Sequence, residues 1–155
     1  MILVFEYAGM TAKYDRFGIT FAYPENWQIE EDAEAMPRAV SAHAPVGGFW
    51  SVNIHPFSMS PHDLLDQVLQ TMCDEYDGVE YYEIRETILD FEASGYSLDF
   101  CCLDFVVSAR IVAFQHGHAT YLLMYQAESR DFDQLQPVFR AMTFSLLSEA
   151  PAVNR

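Results

Sequence analysis

The amino-acid sequence predicts an α+β fold, an antiparallel sheet of about six strands covered by helices on both faces. Three observations predict it. The segments 61–77 and 131–147 carry apolar residues at three- and four-residue spacing, the period of a helix that buries one face. Between them the chain alternates in twos, the period of a strand. The last two strands are apolar at consecutive positions as well, which places them centrally, because a strand with one wet face shows polar residues at every second position.

The elements follow in order. Ile19-Thr20-Phe21-Ala22-Tyr23 alternates, Pro24-Glu25-Asn26 is turn chemistry, and Trp27-Gln28-Ile29-Glu30 resumes the alternation, so the chain enters through a hairpin. Residues 31–37 are acidic and small, end at Pro37 and read as a loop. Strands follow at 38–43 and 49–55 around the turn Pro45-Val46-Gly47-Gly48, the second with Trp50, Val52 and Ile54 on one side. Ser60-Pro61-His62-Asp63 is a helix start: serine as N-cap, proline preset at the first helical position, and an acid near the positive end of the helix dipole. Leu65, Val68, Leu69, Met72, Cys73 and Tyr76 form its apolar stripe, and Asp77-Gly78 ends it.

A meander of about four strands is expected next, at 79–89, 96–104, 105–115 and 119–127. Phe105, Val107 and Ile111 alternate with Val106, Val112 and Phe114, and Tyr121, Leu123 and Tyr125 with Leu122 and Met124. The final helix opens at Asp131, with Gln134 completing a capping box, and turns Phe132, Leu135, Val138, Phe139 and Met142 inward. Pro137 sits where an interior backbone donor belongs, so its first turn is expected to be offset from or kinked against the remainder. Residues 148–155 read as a flexible polar tail. The chain is expected to be a single domain over 1–155 with its core in 18–147. Residues 1–9 read either as an extra strand or as lying ahead of a true start at Met10.

Composition bounds the function. With 51% hydrophobic residues the 155-residue chain excludes disorder, since disordered chains lack the apolar groups that offset ordering entropy. Eight basic residues against 23 acidic ones give a net charge of −15. Lys13 is the lone lysine and the arginines (16, 38, 85, 110, 130, 140 and 155) are scattered singly, so nucleic acid and anionic lipid are excluded as partners. A protein partner or self-association is expected instead. Cys73, Cys101 and Cys102 are odd in number, lack a C-x-x-C and have apolar flanks, and read as reduced core residues. The run Ile2-Leu3-Val4-Phe5 has no basic residue before it and meets Glu6 at once, so a cytoplasmic location without membrane insertion is expected.

Few residues offer chemistry. His116-Gly117-His118, with His43 and His55 near the ends of other strands, is the candidate metal site: two imidazoles at i and i+2 in extended chain face one way and suit an ion such as Zn²⁺. The competing reading is a hairpin tip with exposed histidines. Asp74-Glu75-Tyr76-Asp77-Gly78 lacks the alternating oxygen ligands and distal glutamate of a calcium loop. There is no G-x-S-x-G, G-x-x-x-x-G-K-[ST] or G-x-G-x-x-G, so no catalytic residue and no cofactor is assigned. Phe49, Trp50, Tyr81 and Tyr82 are the candidate interface residues, because tyrosine and tryptophan anchor protein interfaces; core packing is the competing explanation.

Phe21-Ala22-Tyr23-Pro24-Glu25-Asn26-Trp27, together with Arg130-Asp131-Phe132 through Pro137, Phe139, Met142 and Ser145-Leu146, resembles the PsbP-like superfamily over residues 18–147. The resemblance implies an antiparallel sheet between helices. It also implies a binding or assembly factor without catalysis, since most members are of that kind, although activity does not transfer with a fold. It supplies no functional residues. The expected function is thus a non-enzymatic protein-binding or adaptor domain. The alternative is a small-molecule or metal-binding domain, with or without catalysis, at the 116–118 hairpin tip.

Overall fold

The computed structural model describes residues 10–32, 34 and 38–149. The expectations for residues 1–9 and for the tail beyond 149 lie outside the described residues. Nine strands are present among those described: β1 (Thr11–Arg16), β2 (Ile19–Pro24), β3 (Gln28–Asp32), β4 (Arg38–His43), β5 (Phe49–Pro56), β6 (Glu80–Ile88), β7 (Phe91–Cys102), β8 (Phe105–His116) and β9 (Ala119–Glu128). The helices are α1 (Pro61–Glu75), between β5 and β6, and α2 (Ser129–Glu149), after β9. The fold is α+β. Among the described residues no helix is long and apolar enough to cross a membrane.

β1 and β2 form a hairpin of their own, while the other strands form a seven-stranded sheet in the order β3-β4-β5-β9-β8-β7-β6. Every neighbouring pair is antiparallel. The sheet thus has seven strands rather than about six. The strand at 11–16 was not legible because only Tyr14 of that segment is buried. β7 opens at Phe91 rather than at residue 96, since Gly95 carries no side chain to continue the alternation begun by Phe91 and Ala93. Trp27 precedes β3, which itself extends to Asp32, two residues into the expected loop.

α1 begins as its sequence dictates. Ser60 takes an extended conformation and its hydroxyl accepts a bond from the Asp63 amide, with Pro61 opening the helix. α2 starts at Ser129 rather than Asp131 and continues unbroken through Pro137. Pro137 is exposed, as is Asp133, whose carbonyl loses its usual donor, so the missing bond falls on the solvent side, where water can replace it.

The core divides along the strand alternation. On β8, Val112 and Phe114 join a cluster with Phe21, Trp50, Leu123, Tyr125 and the α2 residues Phe139 and Met142. Ile111, Ala109 and Val107 join a second cluster with Leu98, Phe100, Leu122 and the α1 residues Leu64, Leu65 and Met72. The β1–β2 hairpin folds against α2: the Ala22 amide donates to Ser145 Oγ at 2.9 Å, and the Phe21 ring lies 4.7 Å from Trp50. The expectation of apolar cover along the whole of β8 fails at its start, where Phe105 and Val106 are exposed. Cys101 is also exposed, because it faces the opposite side of β7 from Phe100 and Cys102, which pack towards α1; it is free, as are the half-buried Cys73 and Cys102.

Two contacts fix the layers. Trp50 is fully buried, and its indole nitrogen donates to Thr143 Oγ1 at 2.9 Å, joining β5 to α2. Gly95 on β7 lies so close to β8 that a Cβ there would meet the Ile111 carbonyl oxygen at 2.2 Å and Val112 Cγ2 at 3.0 Å. The atom in the way is backbone, so an added methyl cannot be absorbed by a rotamer change.

Gly95→Ala is expected to destabilise the protein by about 3 kcal/mol, measured by chemical denaturation. Thr143→Val, which strands the indole donor in the core, should cost about 1–3 kcal/mol. Adding Trp50→Phe to it removes both partners, so the double variant should lose less than the sum of the two single losses; strict additivity would show the bond to be irrelevant.

Candidate functional site

Three exposed apolar side chains sit together at the turn between β7 and β8. β7 and β8 are joined by the two-residue turn Leu103-Asp104, and the register sets Cys102 opposite Phe105 and Cys101 opposite Val106. Burial on β8 begins only at Val107, so the hairpin tip overhangs the core. Leu103 is 91% exposed, Val106 53% and Phe105 49%. Further along, on the edge strand β6, Tyr81 and Tyr82 are 51% and 60% exposed, level with Leu98 and Ser97 of β7 rather than with its end at Cys102. Tyr81 stands opposite Leu98 and Tyr82 opposite Ser97, so the two phenols project to opposite sides of the sheet. Tyr81 packs edge-on against Tyr96 with ring centroids 5.8 Å apart. Exposed Glu80 and Glu83 flank the two tyrosines and exposed Asp104 follows Leu103, so acidic side chains lie beside both groups.

Leu103 carries a second anomaly. Its φ is +57°, in the left-handed region that suits glycine or asparagine at the first position of a tight hairpin turn. A branched aliphatic residue there costs about 1–2 kcal/mol. Exposed as it is, Leu103 recovers almost none of that by burial.

Of the candidate interface residues, Tyr81 and Tyr82 are at the surface, whereas Trp50 is a core residue, because β5 lies inside the sheet and turns that side chain towards α2. Phe49 is half-buried and lies 5.5 Å from the His43 ring in a shallow acidic depression with Glu30, Glu31, Asp32 and Ser41. His43 Nε2 is 2.9 Å from Ser41 Oγ and 3.5 Å from Glu30 Oε1. Both contacts fall on the same ring nitrogen, so Glu30 competes with the hydroxyl instead of orienting the imidazole from behind, as a nucleophilic relay requires. A sequence reading missed Leu103, Phe105 and Val106 as surface residues. The available signal was a leucine at a turn position between two strands.

The four candidate metal-binding histidines do not meet. Gly117, with φ +66°, and His118 form the turn that closes β8 on β9, so residues 116–118 are not extended chain. His55 stands opposite Thr120 and His116 opposite Ala119, and neighbouring positions on β9 face opposite sides of the sheet. His43 is on β4, at the far end of that strand's pairing with β3. Among the described residues no group of three or more histidine, cysteine, aspartate and glutamate side chains is placed to hold a metal ion.

A groove of about 260 Å³ runs between α1 and the β6–β7 surface, lined by His62, Asp66, Glu83, Arg85, Gly95 and Tyr96. The Tyr96 phenol donates to Asp66 Oδ1 at 3.3 Å, and burial, then the Asp66 and Glu83 charges, raise its pKa. The groove therefore holds a protonated phenol between carboxylates and no activated nucleophile.

Burial lowers the pKa of His55 and of His116 from the usual 6.5. Charging them is thus harder in the folded chain, and the stability held by their neutral forms is complete above 6.5 and is lost as pH falls below it. Imidazole titrations followed by NMR are expected to give midpoints below 6.5 for both; midpoints at or above that value would contradict the burial.

No family model matches the sequence, and no curated protein does. Solved structures match its fold. PA94, a protein of unknown function from Pseudomonas aeruginosa, is 14% identical, with 89% of this chain and 96% of that one covered and a TM-score of 0.53. The cyanobacterial PsbP (CyanoP) of Synechocystis sp. PCC 6803 is also 14% identical, with 87% and 90% covered and a TM-score of 0.60. Identity this low speaks for the fold and not for activity. With its large antiparallel sheet and two helices matched over most of both chains, the protein has a PsbP-like fold.

Proposed function

We propose that this chain is a non-enzymatic protein-binding or adaptor domain, cytoplasmic and single over its length, which receives a partner protein on the tip of the β7–β8 hairpin, with the exposed tyrosines of the edge strand β6 as further contacts. The observation that carries the reading is the exposure of three apolar positions of the turn and its return strand, Leu103, Phe105 and Val106, with two exposed tyrosines further along, on the edge strand. Grouped apolar exposure with a polar border is the pattern of an interaction surface, whereas single exposed apolar residues are ordinary. The rest of the molecule positions that surface. α1 shares its cluster with one alternate set of β8 residues and α2 with the other, which supports one helix on each face, and both clusters stop short of the tip. What the tip presents is then held by β8, which pairs with β9 from Val107 to His116, and by β7, which pairs with β8.

The same site generates an opposition between stability and binding. Leu103→Gly removes the left-handed strain and no buried contact, so stability should rise by about 0.5–1 kcal/mol after the extra chain entropy of glycine is subtracted. Partner affinity should fall by about tenfold or more, roughly 1.4 kcal/mol, because an apolar anchor is gone. Denaturation and calorimetric titration with the partner measure the two effects.

The partner itself can be captured in cells by a photo-crosslinking phenylalanine derivative at position 103, with the same group at the exposed Val46 on the β4–β5 turn as control. A discrete adduct at 103 that is absent at 46 supports the reading. No adduct at 103, or the same adducts at both, refutes it.

A further inference from the structure

β6 ends the sheet, and among the described residues no strand pairs with its outer side. It is nine residues long, Glu80–Ile88, and largely exposed. Such a row of unmet amides and carbonyls is a template for another strand, and sheets usually guard it with lysine, proline or a very short edge. β6 has no lysine or proline and is not short, and its charged residues, Glu80, Glu83, Arg85 and Glu86, are of both signs, so they do not simply repel a second strand of the same kind. The opposite edge is guarded: β3 is five residues long, Gln28–Asp32, and three of those are Glu30, Glu31 and Asp32.

We infer that β6 pairs antiparallel with β6 of a second copy of this chain about a two-fold axis at Ile84, joining the two sheets edge to edge. Cross-strand neighbours must share a face, so only pairings between residues of like parity are allowed. Among these, the pairing that matches the whole strand sets Glu80 opposite the partner's Ile88 and Ile84 opposite the partner's Ile84. The same pairing sets Glu83 opposite the partner's Arg85, and, by symmetry, Arg85 opposite the partner's Glu83. Moving the axis by one residue places Glu83 opposite itself or Arg85 opposite itself, and like charges directly opposite one another are destabilising. Full overlap and charge complementarity thus select one register.

The side chains are placed for it. Glu83 and Arg85 stand opposite Tyr96 and Ser94 on β7, so both lie on the same face of the sheet. Arg85 is also 3.4 Å from Glu92 of its own chain, but the two side chains are 71% and 63% exposed, so that pair is weak and leaves the guanidinium able to bridge both carboxylates. On the other face Tyr82 stands opposite the partner's Glu86, whose carboxylate is held by Arg110 and Tyr125 of its own chain and adds no charge to the seam. β3 cannot pair with itself in this way, because its matched antiparallel register sets Glu30 against Glu30. The net charge of −15 on each copy opposes association at long range, but at about 0.15 M salt the screening length is about 8 Å and the paired edges lie within it. Main-chain bonds supply the attraction, as in other strand additions.

Sedimentation equilibrium on the full chain, from micromolar to millimolar concentration at about 0.15 M salt, tests this. A monomer–dimer equilibrium is expected. Glu83→Arg and Arg85→Glu should each weaken it about tenfold or more, and the double exchange should restore it, since the charges are then opposed again. Hydrogen exchange at residues 80–88 should slow as the dimer forms. A monomer at every concentration, a double variant no better than the singles, or amides at 80–88 already protected in the monomer by another segment of the chain would each overturn the pairing. None of the substitutions touches Leu103, Phe105 or Val106, so failure of the pairing leaves the hairpin-tip surface to be judged by its own crosslinks.

Discussion

The constraint on which this structure depends is that the β8–β9 ladder must be kept from water on both sides. Ile111, Val112, Ala113 and Phe114 are consecutive and all buried, and they are paired with Met124, Leu123, Leu122 and Tyr121. A strand with two dry faces can occupy only the interior of a sheet that is packed on each side. Once the tight turn at Gly117-His118 has joined these two strands, their outer sides can be completed only by strands that tolerate burial. β5, with Trp50 and Val52, and β7, with Leu98 and Phe100, meet that condition. The strands rich in charge, β3 and β6, are left for the edges.

Connection follows from the same requirement. The chain leaves β5 on one side of the central ladder and must reach β6 on the far side, passing β9, β8 and β7 on the way. A helix with an apolar stripe crosses that distance while covering what it passes over, and α1 packs on those three strands. α2 is held differently, by the Trp50–Thr143 bond and by the Phe21 hairpin, so its cluster incorporates residues from the first strands of the chain. The close approach at Gly95 belongs to the same design: where β7 presses on β8, the side chain is reduced to hydrogen.

The parts of the fold legible in the sequence are those written in periodicity. The α1 start at Ser60-Pro61, the stripe through Leu65 and Met72, and the two-sided apolar runs at 107–114 and 121–125 each predict their structural role. β1 was illegible because a strand with one buried residue, Tyr14, leaves almost no pattern. The turns were harder still: Phe17, Leu89 and Leu103 hold left-handed positions that sequence rules reserve for glycine and asparagine. The candidate surface was half legible. Tyr81 and Tyr82 stood out as aromatic residues, but Phe105 and Val106 continue the alternation of the buried strand, and nothing in periodicity tells where cover ends and a strand overhangs it. Trp50 shows the converse, since an aromatic residue suited to an interface is equally suited to a core, and only the neighbour across the layer, Thr143, decides.

Those three strained turns are not equivalent. Phe17 is compensated: the Arg16 and Arg38 guanidinium groups lie 4.8 Å and 5.2 Å from its ring, and Arg38 also donates to its carbonyl. Leu89 borders a small cavity with Ile88, Arg140 and Phe144, so part of its side chain faces protein. Leu103, at 91% exposure, has neither form of support. Local rules broken without a compensating contact inside the chain are expected where the compensation comes from outside it. The turn gains nothing for the isolated domain by carrying leucine instead of glycine, and neither do Phe105 and Val106 by staying apolar beyond the core. All three become intelligible together if the hairpin tip is completed by a surface that the chain itself does not provide.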